Sequence, residues 1–402
     1  MFPFKIIHNA KLAAEDWLKD DNYKQYAKIR PEKFIHPARH SGNGVTINSP
    51  KKTFAGNTLI TSMWQDTSGF KLIDMVGTEI YNWRVSYNDI WPLPDSTENQ
   101  ITDWDVDIHG SVIYPNGDIV FNFNGKGLVK IDRNSNILWK LKGDYHHSVF
   151  KDESGNLWVP GRETSNSPAI RYPLLKPPYY EDYICIISPE GEILKRMSLL
   201  DIFYKSGMES LLFADGTFTT EKVANDITHL NDIDVLESEL ANQYPQFEAG
   251  DIMVSMRHLN LIVIIDSDTY KIKWSNIGPY IRQHDPDFTP NGDILIFDNR
   301  TDDSGGEILG GSRILKIDPI TRNVNVAYQG DLENRFYTNL AGKQQLLPNG
   351  NILITEYDGG RVFEVTENGK VVWTFINRYD DDEVYAITDA IRISKSYLTF
   401  LR

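Results

Sequence analysis

The sequence predicts an all-β protein, a six-bladed β-propeller. Residues 41–402 are expected to form the propeller and residues 1–40 a partly helical N-terminal extension. Three observations favour this fold. Aromatic residues make up 12% of the 402 residues, a glycine-centred turn motif occurs six times, and a second apolar segment follows most copies. Aromatic residues suit pleated, half-buried surfaces, and repeats of this kind are typical of propellers.

The turn motif consists of a small or polar residue, a glycine, Asn or Asp, and then an apolar run. Asn-Gly between apolar runs is a strong hairpin signal. The six copies are AGNTLI at Ala55, NGDIV at Asn116, SGNLWV at Ser154, AGDIMV at Ala249, NGDILI at Asn291 and NGNILI at Asn349. Each copy therefore predicts a tight turn between two strands.

A second hairpin follows most copies and often ends in an aromatic residue. The ends of these segments are Trp83, Trp139, Trp274, Tyr328 and Trp373, and the third copy ends at Met197 without the aromatic. Each unit then has four short strands. A lone four-stranded blade cannot bury both faces, whereas blades packed around an axis can. Six units predict six blades.

Three stretches depart from the repeat. Residues 160–249 are expected to form a long insertion between blades 3 and 4, with a Pro-rich run at 172–180 and helix-like sequence at 235–242. Long loops on a rigid scaffold often carry function. Residues 15–28 are expected to form an amphipathic helix, and the chain after Asn377 is expected to leave the repeat as another helix.

The composition excludes some classes of function. The net charge is −15, from 41 Lys plus Arg and 56 Asp plus Glu, so nucleic acid is not an expected partner. The single cysteine, Cys185, rules out an intramolecular disulfide and a multi-cysteine metal site. We find no membrane span, signal peptide, P-loop or G-x-G-x-x-G motif, and we expect no cofactor. The charge is compatible with a monomer or an assembly.

Histidines recur at one position of the repeat. Eight residues before the motif glycine lie His109, His147 and His284 in the second, third and fifth units. In the fourth unit this strand is displaced, and HLNDIDVL at His229 is its expected start. The first strand of each blade lines the channel of a propeller. These histidines are therefore expected to converge at one channel mouth.

Polar residues recur seven positions after the motif glycine. If the turn lies at one end of the propeller, these positions meet the histidines at the other end. From the second unit to the sixth they are Asn124, Arg162, Arg257, Asn299 and Tyr357. Burying a ring of imidazoles and guanidinium groups in a channel costs free energy, so such a ring indicates a functional site.

Three chemistries suit such a ring. Neutral imidazole binds borderline metals, although no H-x-H or H-E-x-x-H spacing is present, so no metal residues are assigned. Arg162 and Arg257 could hold an anion such as sulfate, phosphate or carboxylate. Alternatively, a neutral histidine could attack a transferable group while its neighbours hold the anionic oxygens. The residues alone leave these alternatives open.

Four segments resemble those of a known family. They are RQHDPDFTPNGDILIFDN at Arg282, THLNDIDVL at Thr228, GDIMVSMRHLNLIVIIDSDTYKIKW at Gly250 and HHSVFKDESGNLWV at His146. They are similar to segments of the arylsulfate sulfotransferases, and the similarity covers most of residues 55–377. That family has a six-bladed propeller, which agrees with the repeat count.

The resemblance implies transfer of a sulfuryl group from an aryl sulfate to a phenol without the nucleotide donor PAPS, by a ping-pong route through a sulfated histidine. It implies His284 as the nucleophile, His229 as the acid/base, Arg257 as the clamp on the sulfuryl oxygens and His147 as an assisting residue. Asn231 and Asn299 would be further contacts. Relatives are mostly secreted or membrane-tethered, which implies a periplasmic or secreted protein.

The chain also departs from the family pattern, because the better-known bacterial members have an additional N-terminal β-domain and a disulfide near the site. Two other classes of function therefore remain as alternatives. One is a hydrolase or lyase that acts on an anionic small molecule with the same histidines and arginines. The other is a non-catalytic propeller that binds a ligand or a partner protein.

Overall fold

The computed structural model describes residues 34–65, 67–92, 102–213, 225–302, 304–331 and 334–402. The helix expected at 15–28 lies outside the described residues. In the described part of the chain, no helix has the length and apolar character that a bilayer crossing requires.

Strands dominate the described residues, as the aromatic and apolar alternation predicts. The first fourteen are β1 (Ile35–Pro37), β2 (Gly44–Asn48), β3 (Asn57–Trp64), β4 (Thr67–Ile73), β5 (Glu79–Val85), β6 (Ile108–Ile113), β7 (Ile119–Phe123), β8 (Gly127–Ile131), β9 (Ile137–Lys142), β10 (Asp144–Tyr145), β11 (Phe150–Lys151), β12 (Leu157–Ser165), β13 (Tyr179–Ile187) and β14 (Ile193–Ser198). The others are β15 (Leu230–Val235), β16 (Ile252–Met256), β17 (Leu261–Ile265), β18 (Ile272–Ile277), β19 (His284–Phe288), β20 (Ile294–Asp298), β21 (Arg313–Ile317), β22 (Val324–Gln329), β23 (Lys343–Leu346), β24 (Ile352–Glu356), β25 (Arg361–Val365), β26 (Val371–Ile376), β27 (Glu383–Tyr385) and β28 (Ile387–Ile393).

Helices are short and lie in the connections. Among the described residues, two are α-helical, α1 (Tyr87–Ile90) and α2 (Leu199–Lys205). The 3-10 helices are Asp103–Asp105, Glu209–Phe213, Ala241–Gln243, Arg257–Leu259 and Thr399–Leu401.

Six antiparallel sheets, one for each copy of the turn motif, form the blades, and the prediction of a six-bladed propeller is confirmed. β1 and β27 pair with each other in a separate two-stranded sheet. From the channel outward, the blades are β28-β3-β4-β5 (blade 1), β6-β7-β8-β9 (blade 2), β10-β12-β13-β14 with β11 also on β12 (blade 3), β15-β16-β17-β18 (blade 4), β19-β20-β21-β22 (blade 5) and β23-β24-β25-β26-β2 (blade 6). First strands of neighbouring blades contact one another, as β15 does with β19 and β28 with β6.

The repeated turn joins the first two strands of blades 2, 3, 5 and 6. In blade 2, Tyr114 N donates to Asp118 O at 2.8 Å and Gly117 N to Tyr114 O at 2.9 Å. Gly117 has a φ of +89°, which glycine adopts without the steric cost of a Cβ. The motif glycine is therefore needed for the tight reversal between β6 and β7.

The ring closes with a strand from the end of the sequence, where a helix was expected. β28 is the innermost strand of blade 1 and pairs with β3, with Ile391 opposite Leu59. The expectation of a C-terminal helix after Asn377 is therefore wrong. β28 lacks the turn motif, since its hairpin partner lies at the other end of the sequence. β2 adds a fifth strand to blade 6, with Val45 opposite Phe375.

The stretch 160–249 is divided among three connections. The β12–β13 hairpin extends through residues 166–178, the β14–β15 connection carries α2, and the β15–β16 loop carries the short helix Ala241–Gln243. Strands β13, β14 and β15 lie between these connections, so the additional residues do not form one continuous loop.

The repeated tryptophans join blades 1, 2, 4 and 6 to the blade that follows each of them. The indole N–H of Trp83 in blade 1 donates to Gly117 O in blade 2 at 3.0 Å, and that of Trp274 in blade 4 to Pro319 O in blade 5 at 2.9 Å. Trp373 of blade 6 donates to Met75 O of blade 1 at 3.0 Å. A buried indole needs a partner for its N–H. The aromatic position of the repeat therefore links neighbouring blades as well as filling the space between them.

Candidate functional site

Four histidines of the repeat lie together at one end of the channel. They belong to blades 2 to 5 and are His109, His147, His229 and His284. The ring centroids of His109 and His147 are 4.6 Å apart, those of His147 and His229 5.0 Å, and those of His147 and His284 6.3 Å. His147 therefore contacts the other three rings.

The backbone at these histidines is irregular. His147 and His229 have φ values of +54° and +50°, a region that non-glycine residues seldom adopt. The pairing of the first strand with the second shifts register beside His229 and directly after His284. Such bulges re-aim side chains, and strained residues cluster at functional sites. Here the irregularities direct the imidazoles toward one another.

His284 has a defined proton position. Its Nδ1 lies 2.6 Å from Asn299 Oδ1 and 3.1 Å from Arg282 O. Asn299 Nδ2 donates to two carbonyls, those of Thr338 and Ala341, so the amide oxygen must face His284. Nδ1 therefore carries the hydrogen and Nε2 the lone pair. Burial, reinforced by the charge of Arg257, holds the pKa of His284 well below its ordinary value, so the ring is neutral.

His229 is bonded to a carboxylate that the repeat does not predict. Its Nδ1 lies 2.5 Å from Asp226 Oδ2. Burial alone would raise the pKa of Asp226, but the His229 hydrogen bond and the nearby positive charge of Arg162 outweigh burial and lower it. Asp226 is therefore ionised, and its carboxylate bonds the imidazole of His229 directly.

Arg257 lies at the end of the second strand of blade 4, as the offset predicts, and is 2% exposed. Its Nη1 is 3.2 Å from Nε2 of His258, whose ring centroid is 4.3 Å from that of His229. Burial lowers the pKa of Arg257 to about 10, which still leaves it charged at neutral pH. A buried guanidinium supplies strong forked donors for an anionic group.

His146 was not singled out by the repeat, although it precedes His147. The Nδ1 atoms of the two rings are 2.8 Å apart, so one donates and the other accepts. Burial and the neighbouring positive groups lower the pKa of both residues well below the usual value. Both rings are therefore neutral, and His146 sets which nitrogen of His147 carries the proton.

The other predicted residues lie at different distances from this cluster. Asn231 lines a small cavity together with His109, His147 and His284, and its Nδ2 donates to Gln283 O at 2.7 Å. Arg162 lies at the edge, where its Nε bonds Asp144 Oδ2 at 3.0 Å and its Nη1 is 3.8 Å from Asp226. The positive charge of Arg162 is thus largely balanced by the carboxylates of Asp144 and Asp226.

Tyr357 and Asn124 end the second strands of blades 6 and 2, as predicted. The ring of Tyr357 contacts that of His36, with centroids 5.7 Å apart. Asn124 donates its backbone N–H to Asp107 O at 2.9 Å. In the described part of the chain, the hydrogen bonds and ring contacts that join the histidines do not include Asn124.

Buried carboxylates lie on the channel strands beside the histidines, a feature that the sequence reasoning missed. They come from three blades, and one lysine faces them. The Lys343 Nζ is 2.5 Å from Asp285 Oδ1, and Asp285, Asp389 and Asp232 all raise the pKa of that ammonium. The signal available in the sequence was the recurrence of Asp in the first strands, as in NDIDVL and HDPDF.

Several solved structures are similar to this chain at low sequence identity. A protein of unknown function from Bacteroides caccae has a TM-score of 0.51 at 13% identity, over 83% of this chain and 99% of that one. A catalytically inactive virginiamycin B lyase from Staphylococcus aureus with quinupristin has a TM-score of 0.40 at 13% identity, over 70% and 74%. TolB from Acinetobacter baumannii has a TM-score of 0.46 at 11% identity, over 82% and 66%. No curated protein matches the sequence.

The family comparison extends across most of the propeller. The family model described as Arylsulfotransferase (ASST) matches residues 110–378, which include His147, His229, Arg257 and His284. The match spans blades 2 to 6 and more than half of the chain. The chain therefore belongs to the arylsulfotransferase (ASST) family.

Proposed function

We propose that this protein transfers a sulfuryl group from an aryl sulfate to a phenol through a covalent intermediate on His284. The observation that carries the proposal is the state of His284. It is a buried, neutral imidazole whose Nδ1–H is held by Asn299, so that Nε2 keeps its lone pair. A neutral histidine with a fixed tautomer is suited to nucleophilic attack.

In the first half-reaction, Nε2 of His284 attacks the sulfur of the donor. The N–S bond forms as the bond between sulfur and the phenolic oxygen breaks. His229, protonated and paired with Asp226, gives its proton to the departing oxygen, so a neutral phenol leaves. Arg257 binds the sulfuryl oxygens, which carry negative charge throughout.

The second half-reaction reverses these steps with another phenol. His229 takes the proton of the acceptor hydroxyl, the phenolic oxygen attacks sulfur, and the N–S bond breaks. His284 returns to its neutral form and His229 to its protonated form. The proton that His229 gives to the departing phenol is replaced by the proton of the acceptor hydroxyl, so the cycle needs no external proton carrier. Asn231 is placed to contact the bound group beside His284.

Incubation with 4-nitrophenyl sulfate, with and without a second phenol, tests the reaction. Release of nitrophenol that depends on the acceptor is the expected result. Release that does not depend on the acceptor would indicate hydrolysis, the alternative that the same histidines and Arg257 would also serve. No release from any aryl sulfate would contradict the proposal and favour a binding role.

The covalent step is tested with His284→Asn. The variant removes the attacking nitrogen, so turnover is expected to fall at least about a thousandfold, the scale of losing a nucleophile. Mass spectrometry of wild-type protein quenched with donor alone should find a sulfuryl group on the peptide that contains His284. His40→Asn is the matched control, because His40 bonds Glu356 in blade 6 and lies outside the cluster. Full activity in His284→Asn would exclude this residue as the nucleophile.

A further inference from the structure

We infer that Asp226 is the positioning residue of this site, since it holds both the acid/base His229 and, through His258, the clamp Arg257. This inference rests on the proposed function and assigns roles to two residues outside the repeat offsets. Asp226 and His258 lie beside His229 and Arg257 in the sequence, but neither occupies a repeat position. A positioning residue acts through the groups that touch the substrate.

One residue makes both connections. The side-chain Oδ2 of Asp226 is 2.5 Å from His229 Nδ1, and its backbone carbonyl oxygen is 2.7 Å from His258 Nδ1. His258 Nε2 is in turn 3.2 Å from Arg257 Nη1. The chain of contacts therefore runs from the acid/base through Asp226 and His258 to the clamp.

The donor and acceptor of each bond follow from chemistry. A carbonyl oxygen only accepts, so His258 Nδ1 carries a hydrogen, and a guanidinium only donates, so His258 Nε2 accepts from Arg257. His258 is thus neutral, which agrees with its pKa, lowered to about 4 mainly by burial and then by the charge of His229. In His229, Nδ1 is used by Asp226, so Nε2 is the nitrogen that exchanges a proton with the phenolic oxygen.

The side chains of Asp226, His229 and His258 could instead bind a metal ion, since their ligand atoms lie within 4.8 Å of one another. Two ligands of one zinc ion, each at about 2.0–2.2 Å, must lie roughly 3 Å or more apart in a tetrahedral site. The 2.5 Å between Asp226 and His229 is instead a hydrogen bond. Arg162 Nη1, 3.8 Å from Asp226, also opposes a cation.

The protonation of His229 depends on all the groups that face it. Asp226 is the ionised carboxylate in direct contact with His229, and Arg162 acts on His229 through its own contact with Asp226. The other titratable groups around the ring are His146, His147, His258, His284 and Asp182. These four histidines are neutral, and of the two carboxylates it is Asp226 that bonds His229 directly.

The test is Asp226→Asn, which keeps an acceptor for His229 Nδ1 and removes the charge. Protonation of the leaving oxygen matters most for poor leaving groups. We therefore expect kcat/KM with phenyl sulfate to fall about a hundredfold, and at least about tenfold more than kcat/KM with 4-nitrophenyl sulfate. The alkaline limb of the pH profile should also move to lower pH, because the imidazolium has lost its counter-charge.

His258→Phe is the matched comparison, since it keeps a ring at this position and removes the acceptor for Arg257. Arg257 contacts the sulfuryl oxygens of every donor in the same way. The variant should therefore lower kcat/KM for phenyl sulfate and 4-nitrophenyl sulfate by the same factor, about tenfold, without moving the pH limb. Thermal melting of both variants checks that the propeller is folded.

Three outcomes would overturn the inference while acceptor-dependent transfer by the wild type stands. The first is an Asp226→Asn variant that loses the same factor for both donors, with no shift in pH profile. The second is a variant with wild-type rates. The third is wild-type protein that holds one equivalent of zinc by elemental analysis and loses its activity to a chelator. If the wild-type protein transfers no sulfuryl group, it is the proposed function that fails.

Discussion

Asn299 is fully buried, and its amide group bonds on both sides. Nδ2 donates to the carbonyls of Thr338 and Ala341, at 3.1 and 2.8 Å, and Oδ1 accepts from His284. Through these backbone carbonyls beside blade 6, Asn299 fixes the tautomer of His284 in blade 5, the residue that we propose as the nucleophile. Only an amide can serve here, because a carboxylate would place an acceptor against two carbonyl oxygens.

Asn299→Ala is expected to release His284 Nδ1 and allow the other tautomer. We expect kcat to fall about ten- to a hundredfold with a smaller change in KM, because the interaction orients a reacting group. Steady-state kinetics of sulfuryl transfer measure this. Asn276→Ala is the control, since Asn276 makes comparable buried bonds, to Gly278 O and to Tyr280, on the outer strand of blade 4. An equal loss in both variants would indicate a general effect on folding.

Sequence spacing predicted which residues form much of the histidine cluster. His109, His147, His284, Arg257 and Asn299 share repeat offsets, so counting from the motif glycines placed them together. Asp226 could not be found this way, because it lies in the β14–β15 connection, which has no equivalent in other blades. His146 and His258 were adjacent to predicted residues, but a period-two strand pattern assigns neighbours to the opposite face. The left-handed backbone at His147 and the 3-10 helix Arg257–Leu259 interrupt that pattern here.

The histidines of the site lie in or beside the first strands of blades 2 to 5, and blade 6 differs in a defined way. Its residue at the histidine position is Gly342, with a φ of +99°. A Cβ there would lie 2.5 Å from Cζ of the Phe297 ring in blade 5. A histidine is therefore excluded from this position by the packing of the neighbouring blade, and the ring of imidazoles is interrupted there.

Gly342→Ala tests this packing. The variant combines a left-handed alanine with the overlap on Phe297, whereas Gly369→Ala, with φ +76° and no atom within 4 Å, has only the backbone cost. We expect Gly342→Ala to destabilise the fold by about 1–3 kcal/mol more than the control, the scale of overpacking a core. Urea denaturation of both variants measures the difference. Equal stability would mean that Phe297 moves aside freely.

The strands that follow a turn motif were predictable, and the closing strand was not. β28 has no Asn-Gly turn beside it, because its neighbour β3 is more than 300 residues earlier in the chain. Hairpin signals are local, whereas this pairing depends on the closure of the ring. The same reason applies to β2, because no nearby sequence pattern predicts its pairing with β26.

The whole molecule carries a buried set of carboxylates along its axis. Burial raises the pKa of Asp389 to about 6, with Lys343 opposing this and Asp285 adding to it, and burial raises the pKa of Asp232 to about 7. An unfolded aspartate loses its proton near pH 4. Between that pH and about 6 to 7, the folded state binds more protons than the unfolded one, so these two groups lower stability as the pH rises.

Asp389→Asn isolates one of these groups. The buried, neutral histidines act in the opposite direction, so wild-type stability alone does not report the carboxylates. The melting temperature of Asp389→Asn minus that of wild type is therefore expected to increase from pH 4 to pH 7, because the asparagine keeps an acceptor for Ser111 and never ionises. Thermal melts across this range measure it. A difference that does not vary with pH would contradict the assignment.

The position of β28 in the sequence also determines the order in which the blades can be completed during synthesis. The strands of blades 2 to 6 are all synthesised before residues 387–393, so blade 1 lacks its axial strand until this segment has been made. Until then the nascent protein is an open arc whose β3 edge lacks its β28 partner, and the histidines in blades 2 to 5 are not yet enclosed by a ring. Closure of the ring therefore follows synthesis of the other five blades and depends on how soon β28 reaches β3.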